Sequence, residues 1–174
     1  LKGKSVTAVH ASKDGKLFAG TLRDGIYIYD AETNTMAKAI SSDKVDDRYK
    51  NLVSSICIDE KGLLWVGSDN GMTVYRLDGN RLYRVHSWPT LYVLCMRADS
   101  DSHIWAGTGM NLMRFGSDGS SETIDLGIPD GAYTFVAGID FLPGGDLIVS
   151  TFGYGLYHID HKTLKARHID ISQT

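Results

Sequence analysis

The sequence lacks the patterns that would predict helices, a membrane span or a nucleic-acid-binding face. No window of a dozen residues keeps apolar side chains at the i, i+3, i+4, i+7 spacing of an amphipathic helix. No apolar run approaches the roughly eighteen residues of a transmembrane helix, and no signal peptide is recognisable. Lysine and arginine form no run, and the formal net charge of −3 argues against a nucleic-acid partner.

Cysteine and proline are scarce. The two cysteines, Cys57 and Cys95, fall in first strands of neighbouring repeats, on the same side of their sheets. Stacked sheets meet front to back, so we expect no disulfide and interpret both as buried thiols, which leaves the redox compartment open. Three prolines against nineteen glycines fit many short strands joined by tight turns.

One pattern recurs four times. Each copy has an aromatic residue or isoleucine at its centre, at Phe18, Trp65, Trp105 and Ile148. Two residues later comes a glycine or serine followed by a small hydroxyl residue, as in Gly67-Ser68. A period of about 40 to 47 residues is that of one four-stranded propeller blade. We expect the central rings to fill the space between successive blades, and the glycines to allow close approach of a neighbour.

Each repeat divides into four strand-like segments separated by turn signals such as Asp14-Gly15 and Asp118-Gly119. The predicted blades span 5–41, 53–87, 93–126 and 135–171, and the outer strand of the first blade is placed at 36–41. The sequence therefore predicts an all-β chain of four consecutive four-stranded antiparallel blades. Four blades would form an open arc whose end faces meet further blades or a second copy of the chain.

Two copies carry a recognisable string. The letters GLLWVGS at 62–68 and HIWAGT at 103–108 resemble the two-component regulator propeller repeat, in which D-x-x-G-x-L-W-x-G-T precedes a G-L-x-x-[Y/F] strand. Asp59 and Asp99 match its leading aspartate. The departures from this pattern are Ser12, Phe18, Leu142, Ile148 and Ser150. They make the fourth copy the least typical.

This resemblance implies a function. Members of the family string such repeats into seven-bladed propellers outside the inner membrane, where they look like ligand sensors, often for oligosaccharides, that feed a membrane helix and a histidine kinase. The chain itself has no kinase motif, and it begins with Leu1 instead of methionine, so we expect a piece of a longer protein. A periplasmic or extracytoplasmic location follows from the resemblance, with no membrane contact by this segment.

The loops that join the second strand to the third, and the fourth to the next blade, should gather on one rim. Aromatic rings beside Asp, Asn and Arg suit a sugar, because ring faces stack and hydroxyls need paired donors and acceptors. The candidate ligand-binding residues are Arg23, Asp24, Asp69, Asn70, Trp88, Tyr92, Tyr133 and Tyr154. The same loops also hold Leu22, Arg48, Tyr49, Gly109, Met110, Phe135, Phe152 and Gly153. The alternative is that the rings simply cover the core edge.

No metal or cofactor site is predicted. His158 and His161 differ in strand parity and should point to opposite faces, which argues against shared ligation. The acidic residues Asp43, Asp46 and Asp47 lack the alternating ligands and glycine of a calcium loop.

Two other function classes stay open. Propellers also host lyases and hydrolases, and a ring of titratable groups could line the central channel. Its members would be His10, Cys57, Arg97 and Asp140. A protein-interaction scaffold of the WD-repeat kind is less favoured, because no blade has the Gly-His opening or the Trp-Asp closure. We expect a sensor segment and not an enzyme.

Overall fold

The computed structural model describes residues 1–41 and 52–170. Their strands form four sheets in chain order, and the all-β propeller arrangement is confirmed. Blade one contains β1 (Val6–Ala11), β2 (Lys16–Thr21), β3 (Ile26–Asp30) and β4 (Thr35–Lys38). Blade two contains β6 (Val53–Ile58), β7 (Leu64–Ser68), β8 (Gly71–Asp78) and β9 (Arg81–Pro89), with β5 (Ile40–Ser41) added at its outer edge.

The last two blades are regular. Blade three contains β10 (Val93–Ala98), β11 (Ile104–Thr108), β12 (Leu112–Phe115) and β13 (Ser121–Ile124). Blade four contains β14 (Val136–Phe141), β15 (Leu147–Thr151), β16 (Gly155–Ile159) and β17 (Ala166–Ile169). Apart from β5, the strands of each blade pair antiparallel and in chain order. The segments 42–51 and 171–174, which include Arg48, Tyr49 and the three loop aspartates, lie outside the described residues.

The prediction of one outer strand over 36–41 is wrong. Strand β4 ends at Lys38, and buried Ala39 donates its N–H to the carbonyl of Ile26. The next residues form β5, which pairs in parallel with the start of β9 in blade two. The chain therefore crosses to the next blade at its outer edge, where the added strand covers an otherwise open row of backbone groups.

Three apolar clusters lie between successive blades. We call the face of a blade that meets the preceding blade its leading face, and the opposite one its trailing face. Phe18, Trp65 and Trp105 are fully buried on trailing faces, which confirms that the repeated rings fill the space between blades. Both faces of an interior blade are thus buried, as the mixed apolar pattern of the inner strands indicates.

The first strand of each blade, which we call its inner strand, carries a β-bulge at its second residue. These inner strands are β1, β6, β10 and β14. The register shifts follow Val6, Val53, Val93 and Val136. In blade one the bulged Thr7 donates its hydroxyl to the carbonyl of Val53 at 2.6 Å, and in blade two Ser54 donates to that of Val93. The bulge thus turns a side chain toward the next blade and ties the two inner strands together.

The leading aspartate of the repeat closes the first turn of a blade. Asp59 is buried, and its carboxylate accepts hydrogen bonds from the indole of Trp65 at 2.9 Å and from the backbone N–H groups of Lys61 and Leu63. Asp99 repeats this arrangement in blade three. The aspartate and the tryptophan therefore act as a pair that fixes the turn to the core.

Candidate ligand-binding rim

The small hydroxyl residue of each repeat stabilises the rim turn between the second and third strands of its blade. In all four blades it donates to a backbone carbonyl across the turn between the second and third strands. The bonds run from Thr21 to Gly25 (2.7 Å), Ser68 to Gly71 (2.9 Å), Thr108 to Asn111 (3.0 Å) and Thr151 to Gly155 (3.1 Å). Each bond holds a tight turn, so that the intervening loop residues are displayed on the rim.

A cleft of about 560 Å³ opens on this rim between blades three and four. Its walls include the predicted site residues Tyr92 and Tyr133, together with Met110 and Phe135. Tyr133 is 83% exposed. The structure thus brings two of the eight candidate residues to one place, and both are exposed to solvent.

The aromatic wall of the cleft is held in position. Phe135 stacks on Phe152 with ring centroids 5.0 Å apart, and Tyr133 meets Phe152 edge to face at 6.0 Å. The backbone fixes this group, because Phe152 donates its N–H to the carbonyl of Phe135 and Thr134 donates its hydroxyl to the carbonyl of Phe152. Phe152 is 52% exposed although it is apolar, and such an exposed aromatic group is typical of a recognition surface.

A second cleft of about 340 Å³ adjoins the first and shares Met110, Gly131, Ala132 and Thr134 with it. Its walls are more polar. They carry Asn111, Thr123, Asp125 and Asp130. The combined surface therefore places aromatic faces beside carboxylate, amide and hydroxyl groups.

Two other candidate rings lie in the packing between blades. Trp88 is half-buried, stacks on Trp65 at 5.6 Å and meets Phe115 edge to face at 5.0 Å. Tyr154 packs against the apolar cluster between blades three and four. The structure gives both rings the role of covering the core edge.

The polar candidates of blades one and two do not join the aromatic cleft. Asp24 is engaged internally, with Lys4, with Lys38 Nζ at 2.9 Å and with the hydroxyl of Tyr27 at 2.6 Å. Hydrogen bonds from Lys4 and Tyr27 hold the pKa of the Asp24 carboxyl far below its usual range. Arg23 is exposed in the same turn.

Asp69 and Asn70 are exposed in the equivalent turn of blade two, where the hydroxyl of Ser68 accepts a hydrogen bond from the backbone N–H of Asn70. They lie on the rim loops as predicted, but they do not line the cleft between blades three and four.

The four residues of the proposed channel ring occupy equivalent places on inner strands, each paired with the central residue of its repeat. Their environments differ. Burial raises the pKa of the Cys57 thiol to about 12, and burial followed by the charge of Arg97 lowers the pKa of His10. Cys57 lies in the apolar cluster between blades two and three, whereas Arg97 and Asp140 are exposed, so the four side chains do not share one environment that lines the channel.

The prediction that His158 and His161 point apart is wrong. Strand β16 ends at Ile159, so strand parity does not extend to His161, which lies in the following turn. Both rings contact Asp146, with His158 Nε2 at 3.0 Å and His161 Nδ1 at 2.7 Å from its two oxygens. Within 1–41 and 52–170, no group of three or more His, Cys, Asp or Glu side chains is arranged to hold a metal ion. Both cysteines are free thiols.

The repeat predicts rim-loop positions for Met110, Phe135 and Phe152, which are not among the candidate ligand-binding residues. The sequence feature that could have identified these three residues is their apolar character at turn positions, where polar residues are usual. All three now belong to the aromatic cleft or its supporting wall.

Comparison with known proteins agrees with this architecture. Residues 50–70 match the family model described as two component regulator propeller. No curated protein sequence matches the chain. Within the described residues, no helix is long and apolar enough to cross a membrane.

Solved structures share the fold. The extracellular domain of BT3049 from B. thetaiotaomicron, described as a hybrid two component system, is 18% identical with a TM-score of 0.74, over 96% of this chain and 23% of that one. The extracellular domain of BT4673 from the same organism is 22% identical with a TM-score of 0.73, over 95% of this chain and 22% of that one. Virginiamycin B lyase from Staphylococcus aureus is 14% identical with a TM-score of 0.73, over 97% of this chain and 56% of that one.

The chain thus spans less than a quarter of the length of either extracellular domain. At these identities the likeness establishes the propeller fold, whereas the match at 50–70 concerns the repeat itself. That stretch covers strands β6 and β7, with the aspartate, the tryptophan and the glycine of blade two. Residues 50–70 are therefore similar to one two component regulator propeller repeat.

Proposed function

We propose that this chain is a segment of an extracytoplasmic sensing propeller of a two-component system, and that the aromatic cleft on its rim binds a carbohydrate. The proposal assigns the signalling output to a histidine kinase outside this chain.

The repeat and the similar structures support the sensor role. The repeat is that of two component regulator propellers, and two similar structures are extracellular domains of proteins described as hybrid or one component systems. An extracytoplasmic location for this chain follows from the same likeness and belongs to the proposal.

The observation that carries the carbohydrate assignment is the pairing of two exposed tyrosines with a polar neighbouring surface. Tyr92 and Tyr133 line one cleft, and Asn111, Asp125 and Asp130 line the adjoining one. A sugar ring offers an apolar face for the tyrosines and hydroxyls for the carboxylates and the amide. Within the described residues, the carboxylates of the combined surface lie in the adjoining cleft, where they can accept hydrogen bonds from sugar hydroxyls.

The test is calorimetry of the chain against a panel of glycan-derived oligosaccharides. Tyr92→Ala and Tyr133→Ala should each weaken binding by about 2- to 12-fold, because one ring contact contributes about 0.5–1.5 kcal/mol. Tyr83→Ala is the matched control, since that ring lies on strand β9 against Arg76 and away from the rim. Equal binding by all variants, or no binding to any oligosaccharide, would refute the carbohydrate assignment. Release of product from a glycan would instead indicate an enzyme.

A further inference from the structure

Gly109 occupies a rim position at which the other three blades carry a side chain. It lies four residues after the central residue of its repeat, where blades one, two and four have Leu22, Asp69 and Phe152. Leu22 and Phe152 are 42% and 52% exposed, and Asp69 is also exposed, so this position displays its side chain on the rim. Blade three has no side chain there.

The backbone at Gly109 does not require glycine. Its N–H donates to the carbonyl of Tyr92 at 2.9 Å, and Leu22 and Phe152 make the equivalent bond to the residue that precedes their own inner strand. The φ angle of Gly109 lies outside the left-handed region that favours glycine. Glycine also loses more conformational freedom on folding than other residues, so the fold alone would favour a residue with a side chain. Gly109 lines the aromatic cleft, however, where a side chain would occupy space.

A side chain at position 109 would lie against the ring of Tyr92. A Cβ atom on Gly109 would be 3.5 Å from Cδ1 of Tyr92 and 3.7 Å from its Cβ, which are ordinary van der Waals distances. Among the described residues, apart from its chain neighbours, no other atom lies within 4 Å of that point. An alanine therefore fits without displacing a neighbour, whereas the longer side chain of a leucine would extend over the Tyr92 ring or into the cleft.

We propose that Gly109 is a specificity-determining residue of the aromatic cleft. Because it has no side chain, the ring of Tyr92, which is 48% exposed, stays open to stacking by a sugar ring. The inference rests on the proposed carbohydrate function and adds the residue that admits the sugar to its stacking partner. A larger residue at this position excludes the ligand through shape, while the backbone and the apolar core stay as they are.

The experiment gives blade three the rim residue of blade one. In calorimetry against the same oligosaccharide panel, Gly109→Leu should weaken binding by about 2- to 12-fold, because the leucine removes the same ring contact as Tyr92→Ala does. Gly109→Ala should bind more tightly than Gly109→Leu. Gly144→Leu is the matched control. Gly144 lies in the turn between the first two strands of blade four, on the opposite rim, and a Cβ atom added to it would have no atom within 4 Å.

A double-mutant cycle separates this role from a general disturbance of the rim. In the Tyr92→Ala background, Gly109→Leu should weaken binding little further, because the ring that the leucine covers is already absent. Circular dichroism spectra and thermal unfolding show which variants keep the fold, and Gly109→Asp, with the residue of blade two, replaces the leucine variant should that one not fold. Additive losses in the cycle, or natural affinity in a folded variant, would show that Gly109 does not act through Tyr92 and would overturn the proposal.

Hydroxyl-radical footprinting tests the role of Gly109 without a ligand. In Gly109→Leu the labelling rate of Tyr92, read by mass spectrometry, should fall by about half or more, because a packed side chain excludes water from the ring. Tyr83, which lies away from the rim, should be labelled equally in both chains. An unchanged rate at Tyr92 overturns the proposal. A lower rate in a chain that binds no oligosaccharide refutes the carbohydrate function and supports the control of access to Tyr92 by Gly109.

Discussion

The pairing of Asp59 with Trp65 is the contact on which blade two should depend most. Asp59 is 3% exposed and accepts three hydrogen bonds, one from the buried indole and two from backbone N–H groups of the turn. Asp59→Ala removes all three acceptors at once. Water can reach the two turn groups, since Lys61 is exposed and Leu63 is half-buried, but it cannot reach the indole N–H of fully buried Trp65.

The expected loss of unfolding free energy follows from the difference between the buried indole N–H group and the two turn N–H groups that water can reach. An unsatisfied buried donor costs about 1–3 kcal/mol, and each solvent-accessible hydrogen bond about 0.5–1 kcal/mol. A loss of about 3 kcal/mol lowers the midpoint of thermal unfolding by about 6–12 °C in a chain of this length. Asp99→Ala breaks the same set of contacts in blade three, but its side chain is 17% exposed, so we expect a smaller decrease.

Differential scanning calorimetry measures the midpoint, with Asp101→Ala as the control for loss of an exposed aspartate in an equivalent turn. Trp65→Phe in the natural and Asp59→Ala backgrounds completes a double-mutant cycle. Phenylalanine has no N–H group, so Asp59→Ala should cost about 1–3 kcal/mol less in its presence. A midpoint that falls no further for Asp59→Ala than for Asp101→Ala, or a cycle without coupling, would refute the reasoning.

Three further outcomes are expected. Gly67→Ala, whose Cβ would lie 2.5 Å from Val93, should destabilise the chain by about 1–3 kcal/mol in urea titrations, whereas Gly144→Ala, with no atom within 4 Å, should change little. Cys57, with a pKa near 12, should react with a thiol reagent at pH 8 about a thousandfold more slowly than an unperturbed thiol, and unfolding should remove this protection. Asp146→Asn should lower the unfolding midpoint at pH 7 but not at strongly acidic pH. Hydrogen bonds from His161 lower the pKa of Asp146, and the stability they provide is lost as pH falls below the usual range of a carboxyl group.

The blades were predictable from the sequence because their signals are local and repeated. The spacing of Phe18, Trp65, Trp105 and Ile148 sets one sheet per copy, and the small hydroxyl residues mark the turn that closes on the rim. The end of strand β4 was missed because its cause is not local. Ala39 turns inward to Ile26, and β5 gains its partner from β9, some forty residues further along the chain.

The candidate site was less predictable because a rim loop can point inward or outward at the same sequence position. Trp88 lies near the end of strand β9 and Tyr92 four residues later in the connection to β10, and the first ring stacks on Trp65 whereas the second lines the cleft. The prediction for His161 was wrong for a related reason. Side chains alternate between the two faces of a sheet only within a strand, and β16 ends at Ile159. Contacts between blades determine which aromatic rings line the cleft, and the sequence alone does not reveal these contacts.

The fold tolerates the departures of blades one and four from the repeat because the aspartate and the tryptophan are replaced together in each of these blades. A buried tryptophan without the aspartate would leave an orphan N–H, and a buried aspartate without the tryptophan would lose its strongest donor. Blade one has Ser12 with Phe18, and blade four has Leu142 with Ile148, so both partners are replaced together. In blade one the hydroxyl of Ser12 closes the turn by bonding to both the carbonyl and the N–H of Lys16. Blade four, least typical in sequence, therefore keeps the strand order and the bulge of the other three.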